Sequence, residues 1–278
     1  MKITARNLSV SKKKNILNKL NLDIPSGKFV SIVGPNGSGK TTLLKSIAGL
    51  ISFKGNILFN EKNIKNKLYK RDSKKIAYIP QNMEIPKGMT LAEYVMFGRI
   101  SHLGFLKIEK YKDYRIVAES LEKVDLTNFS KKLLTTLSGG EMQRAIIART
   151  LAQEADILIL DEPTAFMDFA KSAEVIKVLD NFRKEKNITI LMSSHDINNL
   201  LSFSDVIIAL KNGEKVYDGN ISGFLNEKFL SELYETKIKF FYDSKKNKKI
   251  FVDAVWDWFF IYIGFYEQIW INWRNQEF

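Results

Sequence analysis

Apolar and polar residues alternate early in the chain in the pattern of β-strands. Apolar residues occupy every second position over 20–24, and a continuous apolar run then covers residues 29–33. From Lys40 onward, apolar residues recur at helical spacing as far as Gly49, which can end a helix. The predicted order is therefore strand, glycine-rich loop, helix.

Further apolar runs predict additional strands. These runs cover residues 55–59, 76–79, 157–160, 188–192 and 206–210. The run at 157–160 is entirely apolar, as expected for a strand buried on both faces of a parallel sheet. Asn212 and Gly213, followed by residues 214–217, predict a tight β-hairpin.

The region between residues 82 and 150 has a helical pattern. Thr90 and Glu93 fit a capping box, which is typical of a helix start, and residues 116–124 have the period of an amphipathic helix. Strands on both sides of this helical insert predict an α/β fold.

One glycine-rich segment fits the pattern G-x-x-x-x-G-K-[ST], which binds nucleotide phosphates. It consists of Gly34, Pro35, Asn36, Gly37, Ser38, Gly39, Lys40 and Thr41, with Thr42 following. Small residues let consecutive N–H groups turn toward phosphate oxygens beside the positive end of a helix. Lys40 is expected to reach the β- and γ-phosphates, and Thr41 to bind Mg²⁺. The flanking strand and helix argue against a chance glycine-rich turn.

Two adjacent acids, Asp161 and Glu162, follow the buried strand predicted at 157–160. They lie at the carboxyl edge of the sheet, where open α/β folds bind nucleotides. Asp161 is expected to hold Mg²⁺, and Glu162 to act as the general base on the attacking water. The alternative is that the two acids merely end a strand before Pro163.

Residues 137–141, Leu-Ser-Gly-Gly-Glu, are the discriminating segment. Ser138 and Glu141 fit a capping box that opens a helix, which is a sufficient structural explanation by itself. A helix N-terminus with Gly139, Gly140 and a serine hydroxyl is also an anion site. Beside the phosphate loop, the segment resembles the signature motif of ABC ATPases, which in that family contacts the γ-phosphate of ATP bound to the opposite subunit.

Three further residues resemble motifs of the same family, in the family's order. Gln81 resembles the Q-loop residue that senses Mg²⁺ and water and links the site to a membrane subunit. Asp168 resembles the D-loop residue, and His195 resembles the switch histidine that contacts the γ-phosphate. The other histidine, His102, matches no motif and is interpreted as structural.

The resemblance covers residues 1–240 and implies a fold, cofactors and an assembly. The fold is a P-loop NTPase core with a mostly parallel sheet, an N-terminal antiparallel β subdomain and an α-helical subdomain inserted at about 82–150. Residues 241–278 would form a C-terminal extension. The implied cofactors are ATP and Mg²⁺, enclosed in a head-to-tail dimer between Lys40 of one copy and Ser138 of the other.

Composition adds a cellular setting. The chain of 278 residues has no cysteine, which excludes disulfides and zinc-thiolate sites. Its first residues lack the apolar segment of a secretory signal, which predicts a cytoplasmic protein. The net charge of +12 could indicate an anionic partner, but lysines spread along the chain fit a solvated surface better.

The resemblance also implies a role in transport. We expect a separate ATPase subunit that docks on integral membrane permease subunits at the inner face of the cell membrane and serves a solute-binding protein indirectly, with no nucleic-acid partner. Residues 97–99 and 161–169 are similar to the group that imports ferric siderophores, haem or cobalamin. Alternatives are a zinc, manganese or other small-solute importer, a soluble ABC ATPase acting on nucleic acid or ribosomes, and a scaffold without hydrolysis.

One segment departs from the family pattern. Relatives place an aromatic side chain that stacks on adenine near residues 11–13, where this chain has Ser11, Lys12 and Lys13. Base–aromatic stacking contributes about 1–3 kcal/mol, so weaker or less base-selective nucleotide binding is expected unless a lysine stem or another aromatic side chain takes its place.

The end of the chain, residues 250–278, contains all four tryptophans. Asp253, Asp257 and Glu267 argue against a membrane span there, because an acid near the bilayer centre costs about 2.5–3.5 kcal/mol. A surface-lying or partner-docking segment, packing on the core and an altered reading frame are all open.

Overall fold

The computed structural model describes residues 1–11, 15–63, 75–81, 83–103, 108–164, 167, 169–194, 202–243 and 248–253. Asp168, His195, Lys12 and Lys13 lie outside these residues, as do residues 254–278 of the tryptophan-rich segment. The chain forms two compact units, Met1–Ile221 and Ser222–Phe278.

The bounds of the strands and helices are as follows. The strands are β1 (Ile3–Ser11), β2 (Asn15–Ile24), β3 (Phe29–Val33), β4 (Lys54–Phe59), β5 (Lys62–Asn63), β6 (Ile76–Ile79), β7 (Ile157–Asp161), β8 (Thr189–Ser193), β9 (Val206–Lys211), β10 (Glu214–Gly219), β11 (Ile238–Asp243) and β12 (Lys248–Asp253). The α-helices are α1 (Lys40–Ile47), α2 (Leu91–Met96), α3 (Tyr111–Lys123), α4 (Gly139–Ala152), α5 (Phe169–Lys186), α6 (Ile221–Phe224) and α7 (Glu227–Tyr234), with short 3₁₀ turns at Phe97–Arg99, Thr127–Phe129 and Leu134–Thr136.

The first unit contains the two sheets that the sequence predicts. One has the order β2-β1-β4-β5 and is antiparallel throughout. The other has the order β10-β9-β3-β8-β7-β6 and is parallel except for the hairpin of β9 and β10. The α/β class, the mostly parallel sheet and the N-terminal antiparallel sheet are therefore confirmed.

The central strands are apolar on both faces because both faces are covered. Every residue of β3, β7 and β8 is buried, as expected for the middle of a parallel sheet. Helix α1 packs Leu43, Leu44 and Ile47 into the same core with no exposed surface. This packing fixes the loop between β3 and α1 over the carboxyl edge of the sheet.

Helices α2, α3 and α4 form the inserted helical part of the first unit. The predicted capping box at Thr90 and Glu93 is confirmed at the start of α2. The amphipathic helix begins at Tyr111, earlier than its apolar pattern indicates, because the Asp113 side chain accepts the Lys110 N–H at 3.0 Å. Gln153 after α4 donates to the Ile76 carbonyl at 2.9 Å and so connects the helices to β6.

A buried arginine holds this helical part together. Arg99 is 2% exposed and donates to Asp113 Oδ1 at 3.0 Å, to the Ala152 carbonyl at 2.6 Å and to Glu154 Oε2 at 2.8 Å. Gly98 lies against the Arg149 carbonyl of α4, where a Cβ atom would collide. Within residues 97–99 noted in the sequence, Gly98 and Arg99 therefore pack between α2, α3 and α4.

The second unit contains α7 and the β11–β12 hairpin. Asn226 caps α7 by accepting the Phe229 N–H at 2.9 Å, and the rings of Phe224 and Phe229 meet edge to face at 6.0 Å. In the part of the chain that the structure describes, no helix is long and apolar enough to cross a membrane.

Candidate nucleotide site

The glycine-rich loop at residues 34–41 joins β3 to α1 at the carboxyl edge of the parallel sheet. Gly34 has φ of +138°, and a Cβ atom there would strike the Leu210 carbonyl of β9. Gly39 has φ of +104° directly before α1. Only glycine adopts these conformations without strain, which explains why the loop needs glycine at these two places.

Lys40 lies in the curve of this loop. Its Nζ donates to the carbonyls of Gly34 at 2.8 Å and Pro35 at 3.0 Å. Burial lowers the pKa of the Lys40 ammonium, opposed by the negative charges of Glu162 and Asp161. The cation is thus held between the loop and the two acids.

A cleft of about 290 Å³ opens beside the loop. It is lined by Ile16, Asn36, Gly37, Gly39, Lys40, Thr41, Thr42, Gln81 and Glu162. Ile16 of β2 is the one apolar side chain among these described lining residues. The structure therefore brings the predicted phosphate loop, Gln81 and Glu162 together at one cleft.

Asp161 ends β7 and is almost completely buried. Its Oδ1 accepts hydrogen bonds from Ser193 Oγ at 2.8 Å and Thr41 Oγ1 at 3.1 Å, and its Oδ2 accepts one from Tyr78 OH at 3.3 Å. Burial, followed by the charge of Asp161, raises the pKa of Tyr78, which keeps this hydroxyl a donor.

The oxygens at this point suit Mg²⁺. Magnesium prefers hard oxygen ligands and usually takes only one or two from the protein, with waters and substrate phosphates supplying the rest. Thr41 Oγ1 and Asp161 Oδ1 already lie 3.1 Å apart, and the Gln81 side chain borders the same cleft. The described residues contain no cluster of three or more His, Cys, Asp or Glu for a metal.

Glu162 has a strained backbone and a fixed carboxylate. Its φ is +52°, in the left-handed region that side chains rarely adopt. The Glu162 N–H donates to both the carbonyl oxygen, at 3.2 Å, and Oγ, at 3.1 Å, of Ser193. Its Oε2 accepts the Gln81 side-chain N–H at 2.7 Å.

The capping box predicted at Ser138 and Glu141 is confirmed. Ser138 Oγ accepts the Glu141 N–H at 3.3 Å, and Glu141 Oε2 accepts the Ser138 N–H at 2.7 Å. Ser138 and Gly139 are exposed at the start of α4. None of the described residues lining the cleft comes from 138–140.

The structure describes His102 but not His195. His195 and the D-loop candidate Asp168 lie outside the described residues. His102 Nε2 lies 2.7 Å from the carbonyl oxygen of Gln153, in agreement with a structural role.

Three side chains at the site escape sequence reasoning, namely Ile16, Tyr78 and Ser193. Each lies within or at the end of a strand. Strand alternation indicates which face such a residue occupies, but only the sheet order tells what lies opposite. Because β6 and β8 flank β7, Tyr78 and Ser193 both reach Asp161.

Known proteins are similar in sequence to this chain over most of its length. The family model described as ABC transporter matches residues 17–165. An iron(3+)-hydroxamate import ATP-binding protein of Bacillus subtilis is 36% identical over 237 residues, covering 84% of this chain and 88% of that protein. A manganese transport system ATP-binding protein of Listeria innocua is 38% identical over 226 residues, covering 80% and 91%.

Solved structures agree with this match. An inward-facing putative metal-chelate type ABC transporter superposes with a TM-score of 0.78 at 25% identity, covering 91% of this chain and 97% of that one. A dimeric bacterial ABC transporter cassette superposes with a TM-score of 0.70 at 28% identity, covering 79% and 98%.

Proposed function

We propose that this chain, which belongs to the ABC transporter family of ATPases, is the ATP-hydrolysing subunit of an importer for ferric siderophores or related metal chelates. The observation that carries the proposal is the meeting of Lys40, Thr41 and Glu162 at one cleft beside the phosphate loop. The buried Asp161 accepts a hydrogen bond from Thr41 at the edge of this cleft. Relatives named for iron(3+)-hydroxamate import, petrobactin import and ferric enterobactin transport support the cargo class.

Each residue at the cleft has a chemical role in this proposal. N–H groups of the phosphate loop and the Lys40 ammonium bind the phosphates of ATP. Thr41 and Asp161, with Gln81, would hold Mg²⁺, which when bound neutralises charge on the β- and γ-phosphates. Glu162 accepts the proton of the attacking water. For His195 and Asp168, the family resemblance implies a contact with the γ-phosphate and a D-loop role, respectively.

A second copy of the chain completes the site. The exposed helix start at Ser138, Gly139 and Gly140 presents N–H groups and the positive end of α4. In a head-to-tail dimer this end meets the γ-phosphate held by Lys40 of the other copy. A similar bacterial ABC transporter cassette whose structure is dimeric supports the assembly of two copies.

Integral permease subunits are the proposed membrane partners. Phe97 and Ile100 are 43% and 50% exposed on the helical part of the first unit, and Ile85, shortly after Gln81, is 43% exposed. Apolar side chains in such positions suit a docked protein surface. Docking there places residues 1–240, the ATPase domain, on the cytoplasmic face of the membrane, while the solute-binding protein acts through the permease.

Manganese import is the second candidate, because the manganese transport relative is as similar to this chain as the siderophore relatives are. The ATPase does not contact the cargo in either case. The two candidates therefore differ in the permease and solute-binding protein, and the distinction is made by measuring uptake.

Uptake by a deletion strain tests the proposal. The gene is deleted in its own host, and uptake of radiolabelled ferric hydroxamate and of radiolabelled Mn²⁺ is measured separately. We expect loss of ferric-chelate uptake, restored by the wild-type gene but not by Lys40→Ala. Selective loss of Mn²⁺ uptake would favour the second candidate, and unchanged uptake of both would contradict the importer proposal.

A further inference from the structure

The carboxylate of Asp161 is held by the strands on both sides of its own. In the sheet, β7 lies between β6 and β8. Asp161 pairs with Ser193 in the parallel register of β7 and β8, and Tyr78 pairs with Ile159 in that of β6 and β7. Residues 159 and 161 share one face of β7, because side chains alternate along a strand. Tyr78 therefore points toward the same side as Asp161.

The two hydroxyl groups bind different oxygens of this carboxylate. Ser193 Oγ donates to Oδ1 at 2.8 Å, and Tyr78 OH donates to Oδ2 at 3.3 Å. Ser193 is completely buried, so water cannot replace its bond. Because Ser193 and Tyr78 hold different oxygens, rotation of the carboxylate group about its Cβ–Cγ bond is restricted.

Ser193 also contacts Glu162, the residue that follows Asp161. A hydroxyl has one donor and two acceptor positions, and the Glu162 N–H uses an acceptor position of the Ser193 hydroxyl at 3.1 Å. The same N–H also donates to the Ser193 carbonyl, which any residue at this position would keep. Removing the hydroxyl should therefore affect Asp161 more than the backbone of Glu162.

We propose that Ser193 and Tyr78 are positioning residues that orient Asp161 toward the metal of bound Mg²⁺–ATP. The inference rests on the proposed function and deepens it by naming two residues that are not among those lining the cleft. Hydrogen-bond partners of metal ligands commonly change metal affinity by about 10- to 100-fold. The two hydroxyls should therefore act on the part of nucleotide affinity that depends on Mg²⁺.

The test separates metal-dependent binding from nucleotide binding alone. The dissociation constant of a non-hydrolysable ATP analogue is measured with EDTA and again with excess Mg²⁺, and the EDTA value divided by the Mg²⁺ value gives the contribution of Mg²⁺. Ser193→Ala should reduce this ratio by about 10-fold while leaving the EDTA value unchanged. Ser193→Thr should keep the wild-type ratio. Tyr78→Phe should give a smaller reduction, because its bond to Asp161 is longer.

Matched controls remove buried hydroxyls elsewhere. Ser120 Oγ donates to the Ile116 carbonyl within α3, and Tyr94 OH contacts Met83 Sδ. Ser120→Ala and Tyr94→Phe should leave the ratio at the wild-type value, with thermal unfolding confirming that all variants fold. If Ser193→Ala does not fold, Tyr78→Phe decides the question.

Two results would overturn the inference. One is a wild-type ratio retained in folded Ser193→Ala or, where that variant does not fold, in Tyr78→Phe. The other is a wild-type affinity that does not depend on Mg²⁺. Failure of the proposed function looks different, since the wild-type protein would then not bind the analogue with either Mg²⁺ or EDTA.

Discussion

Gln81 donates a hydrogen bond of 2.7 Å from its side-chain amide to Glu162 Oε2. The contact joins the residues that follow two adjacent parallel strands, β6 and β7. A carboxylate oxygen that accepts this bond is partly occupied and less available to a water molecule. In the proposed reaction, we expect the Gln81 side chain to leave Oε2 when nucleotide and Mg²⁺ enter the cleft.

Glu162→Gln should abolish most turnover without preventing nucleotide binding. The amide has nearly the shape of the carboxylate but cannot accept a proton, and general-base catalysis contributes about 10²- to 10⁴-fold. Phosphate release should fall by that order, and ATP should hold the variant as a dimer in size-exclusion chromatography. Glu174→Gln, on α5, is the control with normal turnover. Unchanged phosphate release by Glu162→Gln would contradict the assignment of the base.

Arg99→Ala should destabilise the first unit strongly. Removing one partner of a buried ion pair leaves an unpaired charge and costs about 3–5 kcal/mol, and here Asp113 would lose its partner in the interior. Urea unfolding measures the change in the free energy of unfolding. Arg115→Ala is the matched control, because its pair with Glu119 is exposed and such pairs contribute about 0–1 kcal/mol. Equal effects of the two substitutions would refute the prediction.

The stability of the start of α4 should depend on pH through Glu141. The Ser138 N–H, followed by the Ser138 side chain, lowers the pKa of Glu141 below its ordinary value. A lowered folded pKa gives stability that is present above the unfolded pKa, about 4.3 for Glu, and is lost as pH falls through the folded value.

A comparison of Glu141→Gln with wild type measures this contribution. Glutamine can keep the capping bonds but has no charge to titrate. Between pH 6 and pH 3, the wild-type urea midpoint should therefore fall more than the midpoint of the variant. Parallel curves for the two proteins would show that the Glu141 charge does not contribute.

Lys12→Tyr should tighten ATP binding if the adenine side of the site lacks an aromatic partner. Stacking contributes about 1–3 kcal/mol, and Ile16 is the apolar side chain that the described part of the cleft provides. Fluorescence titration with ATP and GTP measures both affinity and base selectivity. Lys12→Ala controls for loss of the lysine itself. Equal affinities of the tyrosine and alanine variants would count against stacking.

Features set by local backbone chemistry could be predicted from the sequence. The capping boxes at Thr90 and Ser138 and the hairpin turn at Asn212 and Gly213 lie where their residue types predict them. Strands β3 and β6 have the predicted bounds, whereas β7, β8 and β9 each extend one residue further at the carboxyl end. The residue at which a strand ends depends on the hydrogen-bonding groups of the neighbouring strand. The sequence of a single segment does not contain that information.

Features set by tertiary contacts could not be predicted in this way. Tyr78 and Ser193 become partners of Asp161 only through the sheet order, and Arg99 becomes a buried hub only because α3 and α4 surround it.

Helix α5 is a different case. Its buried apolar residues recur at helical spacing, so this helix could be predicted from the sequence even though it carries no nucleotide motif. These residues are Val175, Ile176, Leu179 and Phe182.

The turn between β9 and β10 supports the phosphate loop from a distant part of the sequence. The Gly213 N–H donates to the Ser38 carbonyl at 3.1 Å, and the Gly213 carbonyl accepts the Asn18 N–H at 2.9 Å. During synthesis, residues 34–41 leave the ribosome long before this turn does. A nascent chain should therefore acquire stable ATP binding late, when most of the first unit has emerged, so that incomplete chains do not hold nucleotide while they fold.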